Sequence, residues 1–247
     1  MDCIGPLASS IDDLGIVLAA ISGFDANDPT SQRESDFIWT QHDYDKLPRV
    51  GVLSGNGGCH IPLAHYHRVI HSMEQSGYPL MPKSLDKLDL YTEYHQRVVK
   101  SEAATYHRAV LWGKDATVAP ETVAALSSGM QVSALDYLEA QTQRDFLLQE
   151  FLDEILNDVE VLVLPVSYEE APIYQEGTSR DAETINREFA KASIFTRFVN
   201  FLGLPAVSIP SGFGPSGLPT AVQLIAKPFE EATMLNIAAG MNSVFSR

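Results

Sequence analysis

Four histidines lie close together in the sequence and are the first residues with metal-binding chemistry, at His60, His65, His67 and His71. His67 and His71 are four residues apart, a spacing at which two imidazoles on one helix face can share a metal ion. A catalytic zinc needs about three protein ligands, and neither an adjacent carboxylate nor a pair of cysteines completes this set. We therefore predict no metal site and interpret the histidines as structural or surface residues.

Nucleophiles and phosphate-binding loops are the next features that could take part in catalysis or ligand binding. The glycine-rich segment 54–58 lacks the Gly-Lys-Ser/Thr end of a phosphate-binding loop and the spacing of a dinucleotide fingerprint, so it predicts a turn. Cys59 and His60 are adjacent, and neighbouring side chains of an extended segment point apart. No Gly-x-Ser-x-Gly nucleophile elbow occurs. The residues alone therefore predict no catalytic group and no cofactor.

The charge and the cysteines exclude several classes of partner. With 17 Lys and Arg against 32 Asp and Glu, the formal net charge is −15, which repels nucleic acids and anionic membrane surfaces. Two cysteines, Cys3 and Cys59, cannot form a disulfide framework and suit a reducing compartment. The first residues carry neither a basic flank nor an apolar stretch. We expect a cytoplasmic protein without a nucleic-acid or membrane partner.

The hydrophobic pattern predicts helices alternating with buried strands. Ser10 and Asp13 have the spacing of a capping box, followed by an apolar stripe of Leu14, Val17, Leu18 and Ile21 and a stop at Gly23. The valine-rich run 159–165 is typical of a strand buried on both faces. Further strands are predicted at 49–53, 206–209 and 220–225, and helices at 63–77, 86–157 (broken near Pro120 and Gly129), 181–202 and 230–245. This order indicates an α/β fold with a mixed β-sheet flanked by helices.

Five blocks in a fixed order carry a resemblance to a known family. They are residues 2–14, 22–31, 158–165, 200–210 and 217–224, the last two reading Asn-Phe-Leu-Gly-Leu-Pro-Ala-Val-Ser-Ile-Pro and Gly-Leu-Pro-Thr-Ala-Val-Gln-Leu. In sequence and in order these blocks resemble the amidase signature enzymes. The resemblance spans the chain, is strongest at its two ends, and implies a single amidase-type domain over residues 1–247.

The resemblance implies hydrolysis of a carboxylic amide through an acyl-enzyme, with a Ser-Ser-Lys triad and neither metal nor cofactor. In the family, the lysine and the Gly-Gly-Ser-Ser-Gly-Gly-type segment precede the block that matches residues 2–14. None of the three catalytic residues can be assigned here, so we expect the C-terminal portion of an amidase, an incomplete fold that is inactive alone. The alternatives are a binding or regulatory pseudoenzyme that uses the remnant acyl pocket, and a decayed product without activity. We also expect a partner chain or a homo-oligomer to cover exposed sheet.

The resemblance also implies a substrate-binding helix face. In the family the helix before the Asn-x-x-Gly-Leu-Pro segment lines the acyl channel, and the matching positions here are Ala190, Ser193 and Arg197. Arg197 would favour a small amide substrate that carries a carboxylate or another anion; the alternative is an ion pair with a surface acid such as Asp181 or Glu183. Another face of this helix, with Ile194, Phe198 and Phe201, is predicted to be core. Asn200 is predicted to have a structural role near Gly203.

Overall fold

A computed structural model describes residues 1, 3–32, 37–40, 46–54, 64–113, 118–168, 170–171 and 192–245, with side chains up to Met241. The chain forms two compact units. The first, the helical unit, comprises Met1–Asp2, Lys87–Phe151 and Ile173–Gly203. The second, the sheet unit, comprises Cys3–Asp86, Leu152–Pro172 and Leu204–Arg247. The single amidase-type domain over residues 1–247 stays a prediction.

The sheet unit contains a mixed sheet of five strands. They are β1 (Val50–Leu53), β2 (Leu80–Lys83), β3 (Val161–Pro165), β4 (Ala206–Phe213) and β5 (Pro219–Ile225). Their order across the sheet is β2-β1-β3-β5-β4. The first three are parallel, with Val50 aligned to both Leu80 and Val161, and β5 is antiparallel to both β3 and β4. The helices and this sheet confirm the predicted α/β class.

The central strand β3 is the core of the sheet, as predicted. Every residue of β3 is buried, and Val161 to Leu164 have no exposed surface. A strand paired on both edges and covered on both faces must be apolar throughout, which is why its sequence does not alternate.

Strand β2 is absent from the sequence-based prediction because Pro82 lies inside it. Proline cannot donate a hydrogen bond to a ladder and is confined to edge strands. In the structure β2 is the edge strand, with Pro82 aligned to Val52 of β1. The proline therefore marks the edge of this sheet and not its interruption.

Eight helices lie in the part of the chain that the structure describes: α1 (Ile11–Ile21), α2 (Ala64–Gln75), α3 (Leu88–Tyr106), α4 (Arg108–Leu111), α5 (Pro120–Gly129), α6 (Ala134–Glu154), α7 (Ile194–Leu202) and α8 (Glu231–Phe245). Pro120 is the first residue of α5 and Gly129 its last, so both predicted breaks are confirmed. The predicted start of the 181–202 helix lies outside the described residues. No helix in the described ranges has the length and apolar character needed to cross a membrane.

Helix α1 begins at the predicted cap, but its buried face differs from the predicted stripe. The Ser10 hydroxyl accepts from the Asp13 backbone nitrogen at 3.1 Å and donates to the Asp13 carboxylate at 2.8 Å. Val17 and Ile21 of the apolar stripe are 42% and 56% exposed. The buried face is shifted to Gly15, where an added Cβ would overlap the ring of Trp39.

Aromatic rings hold the helical unit together. Tyr91 of α3 stacks on Phe198 of α7 at 5.9 Å between ring centroids, and Tyr94 stacks on Phe201 at 6.1 Å. Phe151 of α6 lies 5.6 Å from Phe198. Rings at these separations add specific contact energy to the area they bury. These contacts fix the orientation of α7 against α3 and α6, and with it the direction of the polar face of α7.

Candidate functional site

The carboxyl ends of the parallel strands form the natural ligand position of the sheet unit. From β1 the chain passes to β2 on one side, whereas β3 lies on the other side of β1. Ligands of open α/β sheets bind outside the carboxyl ends of strands at such a switch point. Buried Tyr66 of α2 closes this position: its hydroxyl accepts from the Leu53 amide and donates to the Val163 carbonyl, both at 2.9 Å. Burial raises the pKa of Tyr66, so the hydroxyl keeps its proton.

The turn between β4 and β5 is fixed at the same edge of the sheet. Arg68 donates to the Phe213 carbonyl at 2.9 Å. The Glu170 carboxylate accepts from the Ser216 amide, with both oxygens at 3.2 Å. A Cβ at Gly214 would overlap Glu170 Oε1, so a larger residue here would displace the carboxylate from its position beside the turn. The turn therefore closes around Glu170.

His65 lies beside these charges in the first turn of α2 and is 9% exposed. Burial lowers the pKa of His65, the charge of Arg68 lowers it further, and Glu170 opposes them. A neutral imidazole can accept a proton, which is the chemistry of a general base. Sequence reasoning interpreted His65 as a structural or surface residue and did not connect it with Arg68 or Glu170.

The other predicted groups near α2 do not assemble into a site. The ring of His67 lies 6.2 Å from that of Tyr66, and His71 contacts Gln75 and Glu74. In the described part of the chain no three His, Cys, Asp or Glu side chains come together as possible metal ligands. The segment 55–63, with most of the glycine-rich turn and with Cys59 and His60, lies outside the described residues, and Cys3 is exposed.

An ion pair between Lys83 and Asp158 crosses strand β1. Lys83, at the end of β2, reaches across β1 to Asp158 at 2.5 Å, and its side chain is only 10% exposed. The crossing point is Gly51, where an added Cβ would lie 3.3 Å from Lys83 Cγ. The hydrogen bond from Lys83 holds the pKa of Asp158 below its usual range. This pair is a structural brace of the parallel strands.

The predicted substrate-binding face lies on α7 of the helical unit. Ser193 is the residue before α7, and its carbonyl accepts from the Arg197 amide at 3.0 Å. Both residues are partly exposed, and burial lowers the pKa of the Arg197 guanidinium. Phe198 and Phe201 have no exposed surface and form the predicted core, whereas Ile194 is only half-buried. Ala190 and the acids Asp181 and Glu183 lie outside the described residues.

His95 of α3 is a polar group near this face that sequence reasoning missed. Its Nδ1 is fully buried, as is Thr92 Oγ1 one turn earlier, and neither atom has a hydrogen-bond partner among the described residues. Burial, together with the charge of Arg197, lowers the pKa of His95 to about 4. The signal in the sequence was a histidine directly after Tyr94 on the buried side of an amphipathic helix.

The side chain of Asn200 contacts the backbone of Met1, and its predicted structural role near Gly203 stays a prediction. Its Nδ2 donates to the carbonyl of Met1 at 3.1 Å. Helix α7 instead ends at Gly203, which has φ of 74° and donates its amide to the Val199 carbonyl at 2.9 Å. A left-handed residue at this point is the usual helix stop and favours glycine.

The chain is an α/β protein built on a mixed sheet, and solved structures share this fold. A 6-aminohexanoate cyclic dimer hydrolase complexed with substrate superposes with a TM-score of 0.78 over 97% of this chain and 54% of that chain, at 18% identity. A crystal structure of an amidase superposes with a TM-score of 0.75 over 98% of this chain and 52% of that one, at 22% identity. At these identities the likeness concerns the fold.

Sequence comparison identifies the family. The amidase family model matches residues 1–235. The chain is 28% identical to a fatty acid amide hydrolase of Arabidopsis thaliana over 99% of this chain and 42% of that enzyme. It is also 28% identical to a glutamyl-tRNA(Gln) amidotransferase subunit from Burkholderia ambifaria over 96% of this chain and 55% of that relative. The chain belongs to the amidase family and spans about half the length of the curated relatives it matches.

Proposed function

We propose that this chain forms part of an amidase that hydrolyses small carboxylic amides through an acyl-enzyme. In this enzyme the chain binds the acyl group of the substrate. The observation that carries the proposal is the family match over residues 1–235. The Ser-Ser-Lys mechanism is general to the family. The 247 residues contain no Gly-Gly-Ser-Ser-Gly-Gly-type segment. In this proposal a polypeptide outside these residues supplies the triad, and the 247 residues alone do not turn over substrate.

A serine-directed fluorophosphonate probe tests the catalytic part. Protein carrying these residues, purified from its own cells, should be labelled and should hydrolyse simple amides, whereas the isolated 247-residue chain should do neither. Labelling or turnover by the isolated chain would contradict the assignment of the nucleophile to another segment. Amide binding by the native protein without labelling or turnover would replace the proposal with the pseudoenzyme alternative.

The substrate class is proposed to be amides that carry a carboxylate on the acyl side. Arg197 supports this because it is a partly buried cation one turn from Ser193, beside the neutral imidazole of His95. A charge-assisted hydrogen bond contributes more than a neutral one, so a guanidinium on a substrate-binding helix face would select for an anion. Small polar amides without a carboxylate would bind less well.

A pair of small linear amides tests Arg197 in the active native enzyme. Succinamate carries a carboxylate and butyramide does not. Arg197→Gln should raise KM for succinamate by about tenfold or more, since a hydrogen bond to a charge contributes about 1.5 to 3 kcal/mol, and should leave butyramide unchanged. Lys100→Gln, an exposed charge on α3, is the matched control. An equal change in KM for both substrates would show that Arg197 has no part in selecting the charge.

We also propose that further protein covers the edges of the sheet, as a partner chain or a second copy. Strands β2 and β4 are the two edges, and β4 exposes Ala206, Ser208 and Pro210 along one face. Edge strands present unpaired backbone groups that accept another strand. Light scattering of the isolated chain should therefore find oligomers. A monomer that unfolds in one cooperative transition would exclude an uncovered sheet.

A further inference from the structure

A second cleft, of about 890 Å³, lies in the helical unit and contains neither Ser193 nor Arg197. It lies between the last turns of α3, helix α4, the end of α5 and the beginning of α6. Its volume falls within the range of about 300 to 1,000 Å³ that is typical of small-molecule sites. Nothing in the proposed amide hydrolysis uses it, so the proposal below does not depend on that function.

Flat apolar side chains line this cleft and remain exposed. Tyr106 is 85% exposed, Trp112 is 68% exposed and Met130 is 64% exposed, and Tyr137 adds a third ring. Large apolar side chains that are exposed together mark binding surfaces in soluble proteins. Aromatic rings favour offset or edge contacts with another ring, so these walls select a planar aromatic ligand.

The floor of the cleft is closely packed. At Gly129, the end of α5, an added Cβ would overlap the Lys100 carbonyl oxygen, so the two helices touch backbone to backbone. The lining hydroxyls of Ser101 and Thr105 donate to carbonyls of α3 itself, at 2.8 Å each. These hydroxyls are thereby satisfied within the protein, which leaves the aromatic rings and the charged side chains as the recognition groups.

The charges of the cleft favour an anion. Two charged residues line it, Glu102 and Arg108. The Glu102 carboxylate already accepts from the backbone nitrogen of Met1 at 2.8 Å. Arg108 is exposed, and its guanidinium has no hydrogen-bond or ion-pair partner within the described ranges. A guanidinium presents two parallel N–H donors that match a carboxylate.

We propose that this cleft binds a small planar aromatic carboxylate, with its ring against Tyr106 and Trp112 and its carboxylate at Arg108. The aromatic walls supply apolar contact and shape, and the guanidinium supplies the charge that distinguishes a carboxylate from a neutral ring. Among the described residues the cleft is open to solvent, so a ligand can enter without movement of the core.

Two-dimensional ¹H–¹⁵N spectra of the 247-residue chain give a direct test, because Trp39 and Trp112 are its two tryptophans. Trp39→Phe assigns the two indole signals. The probe is 2-naphthoate, and the matched neutral probe is 2-naphthylmethanol. We expect 2-naphthoate to shift the Trp112 signal saturably and leave Trp39 unchanged, with the alcohol binding about tenfold more weakly or worse.

Arg108→Gln separates the charge from the shape of the cleft. This variant should weaken 2-naphthoate about tenfold and leave the affinity for 2-naphthylmethanol unchanged, whereas Lys46→Gln, at an exposed lysine of the sheet unit, should change neither. The dispersion of the other amide signals reports whether each variant is folded. Equal affinity for the two probes, an unchanged Arg108→Gln variant, or shifts at Trp39 instead of Trp112 would overturn the proposal.

Discussion

The Tyr66 hydroxyl offers the sharpest test of how the parallel strands are held together. Tyr66→Phe keeps the buried ring but removes the group that bonds the Leu53 amide and the Val163 carbonyl. Each buried backbone group left without a partner costs about 1 to 3 kcal/mol, so two cost about 2 to 6 kcal/mol. At a slope of about 3 kcal/mol per molar urea, the unfolding midpoint falls by about 0.7 to 2 M.

The assay must follow the sheet unit alone. Trp39 packs against α1 in this unit, so its fluorescence in a Trp112→Phe background follows the unfolding of the sheet unit. Tyr106→Phe is the matched control, because its hydroxyl belongs to an 85% exposed residue and its loss should change stability by less than about 0.5 kcal/mol. A Tyr66→Phe variant as stable as this control would refute the bridging role of the hydroxyl.

Three further predictions concern a buried imidazole, a close helix contact and a brace. Burial and nearby charge lower the pKa of His95 to about 4, so its contribution to stability is present above the unfolded pKa of 6.5 and is lost as the pH falls through about 4. His95→Gln should therefore reduce the fall of the urea midpoint between these pH values. An unchanged pH dependence would show that His95 is not its cause. Gly129→Ala places a methyl group against the Lys100 carbonyl, so calorimetry should show a loss of about 1 to 3 kcal/mol or more, whereas equal stability would mean that α5 moves freely. Asp158→Asn removes the ion pair with Lys83, which lowers the pKa of Asp158 and so stabilises the fold above the unfolded pKa of an aspartate. The variant should therefore lower the melting temperature more at about pH 7 than at about pH 3. A loss of melting temperature that does not depend on pH would show that the pair contributes shape and not charge.

The sequence predicted the elements whose signal is local and missed the contacts that depend on the fold. The run 159–165 was apolar enough to predict a strand buried on both faces, and β3 is that strand. Pro82 concealed β2, because a proline excludes a central strand but not an edge. The apolar stripe of α1 did not reveal that Gly15 accepts the ring of Trp39, because no periodicity encodes such a contact.

The candidate site residues also divide into those that the sequence indicated and those that only the fold brings together. Ser193 and Arg197 came from the resemblance, and the structure places them one turn apart at the start of α7. The association of His95 with Arg197 joins α3 to α7, and that of Glu170 with Ser216 joins two loops of the sheet unit. Such pairs are separated by tens of residues in the sequence, so only the folded chain brings their charges together.

The strand order of the sheet also constrains how the chain folds. Strand β1 ends at Leu53, but its central neighbour β3 begins at Val161 and β5 begins only at Pro219. The parallel pairing must therefore wait for distant residues, a high contact order that slows folding and prolongs the exposure of unpaired strands. During synthesis β1 and β2 can pair with each other long before β3 leaves the ribosome. The nascent chain therefore carries an unpaired edge on β1 until β3 has been synthesised.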